Sequence, residues 1–210
     1  MFPCYSPGMS QFRFLVVDVR GTDPQEWLRV WASQYAGYDE KEYKDLIDKA
    51  ASFTANDLVR IGKWKDGVTT ELQWKPNVAS VAYLIWMQAA QELPKSPEQK
   101  DLETLLDDWS GRTYTDVFKK KSVEKRFGLS RASTLLHFLS GGRFPIYDSR
   151  VRTAIARLCT RSLPPDTVRW YLDSFLPPFS QLATACDTTN DLRALDKALF
   201  TYGSSNKLGS

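Results

Sequence analysis

The chain predicts an all-α fold, a bundle of roughly nine to eleven helices. Apolar residues recur at helical spacing through most of its 210 residues, as in Trp27, Leu28, Trp31 and Tyr35. Helix-start signals precede these runs, among them Asp23-Pro24 and Ser96-Pro97-Glu98. The β-prone stretch Phe12 to Val19 reads as one short N-terminal strand or an extended arm. A composition 42% hydrophobic and 13% aromatic supplies a core and excludes a disordered chain.

The elements follow in order. Asp23 and Pro24 open a first helix, and a second starts after Asp39 with Tyr43, Leu46 and Ile47 on one face. A third begins near Thr54 and carries Leu58, Ile61 and Trp64. Lys63-Trp64-Lys65-Asp66-Gly67, with Trp74 and Lys75 beyond it, has two readings. One is a nucleic-acid edge of stacking aromatics and phosphate-facing lysines. The other is a pair of core-capping tryptophans beside solvated lysines, which is preferred for Trp64 and left open for the lysines. Asn77 to Leu93 is apolar around most of its circumference and predicts a central buried helix. A helix from Ser96 to Trp109 shows an acidic outer face, where Asp107 and Asp108 read as solvated.

The stretch Phe118 to Arg152 organises the rest. It reads as helix, tight turn, helix, glycine-bearing loop, then an aspartate opening another helix. Val117, Phe118, Val123 and Phe127 form the first stripe, Gly128 supplies a left-handed residue, and Ser130 is the expected N-cap of the second helix. Ala132, Leu135, Leu136 and Leu139 share that helix's face, Gly141-Gly142 ends it, and Phe144-Pro145-Ile146-Tyr147 is extended. Nine Lys/Arg against Glu124 and Asp148 give this segment a net +7, against +3 for the whole chain. Pro164-Pro165-Asp166 opens a helix with Val168, Trp170, Tyr171 and Phe175, which Pro177-Pro178 breaks. Further helices cover roughly 178–186 and 190–202. Residues 204–210 read as a disordered or non-native tail. No linker or internal repeat separates domains, so 1–203 is taken as one domain.

These residues resemble the helix-hairpin-helix (HhH-GPD) DNA glycosylase superfamily, with the 8-oxoguanine-glycosylase-like branch nearest. The resemblance rests on a glycine-turned hairpin, here with the single Gly128, followed by Phe144-Pro145-Ile146-Tyr147-Asp148-Ser149-Arg150-Val151. Leu192 to Gly203 is similar to the branch's closing helix. About a third of the chain is covered directly. The resemblance implies a two-lobed helical bundle with a cleft, and assigns Asp148 as the catalytic carboxylate, stabilising cationic sugar and activating water. Arg150 stands where the family has histidine. Lys119, Lys120, Lys121, Lys125, Arg126, Gly128, Ser130 and Arg131 would, with Arg150, bind the phosphate backbone without reading sequence. Tyr147 and Trp64 are candidate cleft-lining residues. As an N-cap is a common role for aspartate before a helix, a purely structural Asp148 is the competing reading.

Bifunctional members hold a Schiff-base lysine at the start of the second hairpin helix. No lysine lies between Arg126 and Asp148, and arginine cannot be deprotonated, which implies a monofunctional enzyme without lyase activity. The expected partner is double-stranded DNA with a damaged or modified base, which the protein flips out in repair or in defence against modified foreign DNA. No cofactor is implied. The three cysteines, Cys4, Cys159 and Cys186, are far apart and there is a single histidine, so neither a zinc site nor a Cys–His pair is expected. His137, set among leucines and phenylalanine, is read as structural. A monomer in the cytoplasm is expected, with reduced thiols and no membrane span. Two other functions remain: a DNA-binding module that has lost catalysis, and an interaction domain whose basic hairpin meets an acidic partner.

Overall fold

Local capping sets the first helices of the structure, a computed structural model that describes residues 23–66, 88–94, 96–118, 121–158, 162–189 and 191–205. Helix α1 spans Pro24–Ser33, and the Asp23 carboxylate accepts from the amides of Gln25 and Glu26 at 2.9 and 3.1 Å. Helix α2 spans Glu40–Asp48, with Asp39 accepting from Lys41 and Glu42 in the same way. Helix α3, Ala55–Asp66, begins with the Asp57 carboxylate reaching back to Thr54. The Thr54 amide and hydroxyl both donate to Asp57, at 2.8 and 2.7 Å. All three starts are as the sequence predicts. The strand expected over Phe12 to Val19 and most of the buried helix expected over Asn77 to Leu93 lie outside the described residues, as do Trp74, Lys75, Trp86, Cys4 and Cys159.

The chain divides into two compact units. One comprises Ala36–Asp148, and the other joins Met1–Tyr35 to Ser149–Ser210. In the Ala36–Asp148 unit, α4 (Gln99–Gly111) and α5 (Gly128–Leu139) pack together, and α2 and α3 also meet α5. Helix α5 is buried at every position from Ala132 to Leu139, so it serves as the core helix of the unit's described part. Ser140 caps its end, and Gly141 and Gly142 follow at φ +65° and +82°. Their amides donate to the carbonyls of Phe138 and His137 at 3.0 and 2.7 Å, a Schellman closure that needs left-handed residues in sequence.

Between α4 and α5 the sequence expectation fails. Thr113–Phe118 (β1) and Lys121–Arg126 (β2) pair antiparallel, Thr113 opposite Arg126 and Phe118 opposite Lys121, where a helix was expected. The Phe127 amide closes this hairpin onto the Arg112 carbonyl at 2.7 Å. Thr113, Tyr114, Thr115, Val117 and Phe118 are all β-branched or aromatic, and a partner strand turns that local preference into a ladder. Helix α5 then starts at Gly128, whose φ of +75° turns the chain, so Ser130 lies inside its first turn and is not the N-cap. The rest of the described architecture is helical, as predicted.

In the other unit, α6 is Ser149–Leu158 and α7 is Val168–Trp170, capped by Thr167 and not by the Pro164-Pro165-Asp166 stretch. A π-helical turn over Tyr171–Phe175 leads straight into α8, Leu176–Ala185. Pro177 and Pro178 therefore do not break the helix. They occupy its first turn, where a missing N–H costs least, and the π turn upstream absorbs the register change. Helix α9 spans Leu192–Ser204, so Ser204 belongs to the helix and not to the expected tail. It packs on α1 through Tyr202, edge-on to Trp27 and Trp31, and on α6 through Gly203. Cys186 is a free, buried thiol that donates to the Pro24 carbonyl at 3.4 Å. Burial, and then the Asp23 carboxylate, push its pKa up to about 11, which keeps it protonated and unreactive at neutral pH.

One prediction follows from the α3 cap. Burial alone would raise the Asp57 pKa, but the Thr54 hydroxyl and amide, Arg60 and Lys49 together hold it below the ordinary carboxylate range. A depressed folded pKa contributes stability above the unfolded value and loses it as pH falls through the folded one. Asp57→Asn should therefore cost about 1 kcal/mol or more near pH 7. The gap to wild type in urea unfolding should narrow below pH 4. A gap of constant size across that range would show that the Asp57 charge contributes nothing.

Candidate functional site

The loop from Gly141 to Asp148 is held from α5 at two points. Ser133 Oγ accepts from the Tyr147 amide at 3.0 Å and donates to the Ser130 carbonyl at 3.2 Å. His137 Nδ1 lies 2.7 Å from the Phe144 carbonyl, which can only accept, so the ring proton sits on Nδ1. Nε2 then accepts from the Tyr43 hydroxyl at 2.9 Å, linking the loop to α2. His137 is 1% exposed and has the structural place the sequence suggests. Arg143 ties the loop's start to the carbonyls of Ser140 and Pro94 at 3.1 and 3.0 Å.

These contacts deliver Asp148 to a buried position, 6% exposed, immediately before α6. Its carboxylate meets a residue the sequence reading did not pair with it. Lys65 Nζ, one residue from the end of α3, donates to Asp148 Oδ2 at 3.0 Å, and the two side chains are 9% and 8% exposed. Lys65 thus lies in neither a solvated face nor a phosphate-facing edge. Its neighbour Lys63 is exposed. A sequence separation of 83 residues hides the pair from any local pattern. The one available signal was a lysine following core-spaced Leu58, Ile61 and Trp64 near a helix end, where a cation is favoured.

The other candidates separate into groups. Tyr147 is 0% exposed and Trp64 5%, so the structure places both among the buried core residues. Trp64 Nε1 donates to the Asp39 carbonyl at 3.0 Å, and its ring meets Tyr38, Tyr43 and Phe138. Lys119 and Lys120 lie outside the described residues. Lys121, Lys125 and Arg126 belong to β2 and not to a helix, with Arg126 exposed and its Nε donating to the Ser110 carbonyl at 3.2 Å. Gly128, Ser130 and Arg131 form the first turn of α5, partly exposed, directly after that basic strand. Arg150, in the second compact unit, lies on α6 with its guanidinium 4.4 Å from the centroid of the Phe200 ring. Arg152 and Arg157 of the same helix hold the carbonyls of Pro164, Tyr202 and Ser205, so they support structure.

Among the described residues no group of His, Cys, Asp and Glu is arranged to hold a metal ion. Asp108 pairs with Arg112 at 2.9 Å on an exposed face, consistent with the solvated reading. No described helix is long and apolar enough to cross a membrane. No family model, curated protein or solved structure matches the chain.

Proposed function

We propose that this protein is a DNA glycosylase that hydrolyses the N-glycosidic bond of a damaged or modified base flipped out of a duplex. The observation that supports this best is the buried carboxylate of Asp148, at the end of an anchored loop and paired with a lysine. A carboxylate kept ionised out of bulk water is what a developing positive charge on deoxyribose needs, since its field is little screened there. As the bond from sugar to base breaks, the electron pair leaves with the base. Water then adds to the sugar carbon, its proton passing to the carboxylate. The basic β2 strand and the first turn of α5 would meet phosphates.

The reaction ends at an intact abasic site. Water is the nucleophile, because no lysine lies between Arg126 and Asp148 and the Lys65 amine is engaged by the carboxylate. The test is incubation with duplexes bearing a panel of modified bases, followed by hot alkali. Strand breaks should appear only after alkali, and borohydride added during turnover should trap no adduct. Absence of base release from every duplex would remove the glycosylase reading. Which base is released then separates repair from defence against foreign DNA.

A second reading is favoured by one observation: the first helix expected of the hairpin motif is a β-hairpin. A DNA-binding module without catalysis would tolerate that change, and it predicts duplex binding with no base release. Under either reading, replacing Lys119, Lys120 and Lys121 by glutamate should weaken duplex binding for all sequences and flatten its salt dependence. Unchanged affinity in low-salt titrations would move the binding face elsewhere.

A further inference from the structure

We infer that Lys65 is a positioning residue for Asp148, fixing its carboxylate in one orientation and keeping it in the charged form. This inference rests on the glycosylase reading for its consequence, and on geometry for its cause. Asp148 is held from two helices at once. Helix α5 fixes the backbone leading to it, through Ser133 on the Tyr147 amide and through His137 on the Phe144 carbonyl. Helix α3 fixes the carboxylate itself, through Lys65 Nζ at 3.0 Å from Oδ2.

The side chains reach this contact with under a tenth of their surface exposed. A carboxylate left in such a place without a cation takes up a proton more readily than it stays charged. A protonated Asp148 would neither stabilise a cationic sugar nor accept a proton from water. A cationic lysine next to it removes that penalty. Lys65 also lies in the last turn of α3, where the carbonyl end of the helix favours a positive side chain. The charge is therefore supplied by an element remote in sequence from the loop that presents the carboxylate. Of the charged and titratable groups described around the loop, His137 bonds Tyr43 and Phe144 and Arg143 bonds the carbonyls of Ser140 and Pro94, while Lys65 is directed at the carboxylate.

The experiment is the pH dependence of single-turnover base release for wild type, Lys65→Met and Lys65→Arg. Lys65→Met should move the acid limb upward by about one pH unit or more. Near pH 6 this is a loss of roughly 10-fold or more, and it should recover toward the wild-type rate at alkaline pH. Lys65→Arg, which restores a cation, should return the limb toward its wild-type position. If Lys65→Met does not fold, Lys65→Gln replaces it, since it keeps a donor and removes the charge. A rate that falls equally at every pH would reduce Lys65 to a structural contact and overturn the inference. A borohydride-trapped adduct that Lys65→Arg abolishes would also overturn it, by making Lys65 the nucleophile. If wild type releases no base at all, the glycosylase reading fails separately. The pair is then read from the carbon-13 titration of the Asp148 carboxyl, assigned by its loss in Asp148→Asn. A higher midpoint in Lys65→Met upholds the inference, and an unchanged midpoint overturns it.

Discussion

Asp148→Asn is expected to slow base release by at least about 10²-fold under single-turnover conditions, while duplex affinity stays within a factor of about two. Asparagine has nearly the same shape and caps a helix about as well as aspartate, so the start of α6 should survive. What it lacks is the charge. The Lys65 ammonium would then be left in a mostly buried place without its counter-charge. Breaking such a pair from one side costs about 3–5 kcal/mol, the lower end applying where some exposure remains. The variant should therefore melt lower than wild type yet still bind DNA. Rate and melting temperature together make the test decisive. A wild-type rate with a lowered melting point would make Asp148 a structural residue.

Gly203→Ala should be among the most destabilising single substitutions in the chain. A Cβ at that position would lie 1.9 Å from the Arg150 carbonyl oxygen, 2.7 Å from its carbon and 3.1 Å from the Ala154 nitrogen. All three are backbone atoms of α6, so no side chain can swing aside, and α9 and α6 must separate. That forfeits packing around Leu199, Tyr202, Val151 and Ile155, each 5% exposed or less. The expected cost is about 3 kcal/mol, the upper end for overpacking. For a chain of this size it corresponds to a melting point lower by roughly 6–12 °C. Gly111→Ala is the control, since nothing lies within 4 Å of a Cβ there. It should be neutral or slightly stabilising. Equal melting points for the two variants would mean that α6 and α9 are not packed as described.

The sequence by itself determined those parts of the protein that depend on neighbours a few residues away. Asp23 and Asp39 cap helices because their side chains reach amides two or three residues on, and Asp57 secures the start of α3 because its carboxylate reaches back to the Thr54 amide. Gly141-Gly142 closes α5 because the left-handed backbone is cheap for glycine. The apolar spacing of Leu135, Leu136 and Leu139 is enough to bury that helix. Asp148 stood out as a candidate only through the resemblance of its loop and the basic hairpin to a family pattern, since an aspartate before a helix is locally no more than an N-cap.

Tertiary structure decided what depends on distant partners. Thr113–Arg126 has apolar spacing that suits a helix and residue types that suit a strand, and a partner strand settles such a conflict through ladder bonds. Tyr147 and Trp64 are aromatic residues whose place in the core follows from what packs around them. The pair of Lys65 with Asp148 joins residues 83 positions apart. No periodicity or cap encodes it, because the free energy of bringing two charges together out of water depends on where the two backbones have already been placed.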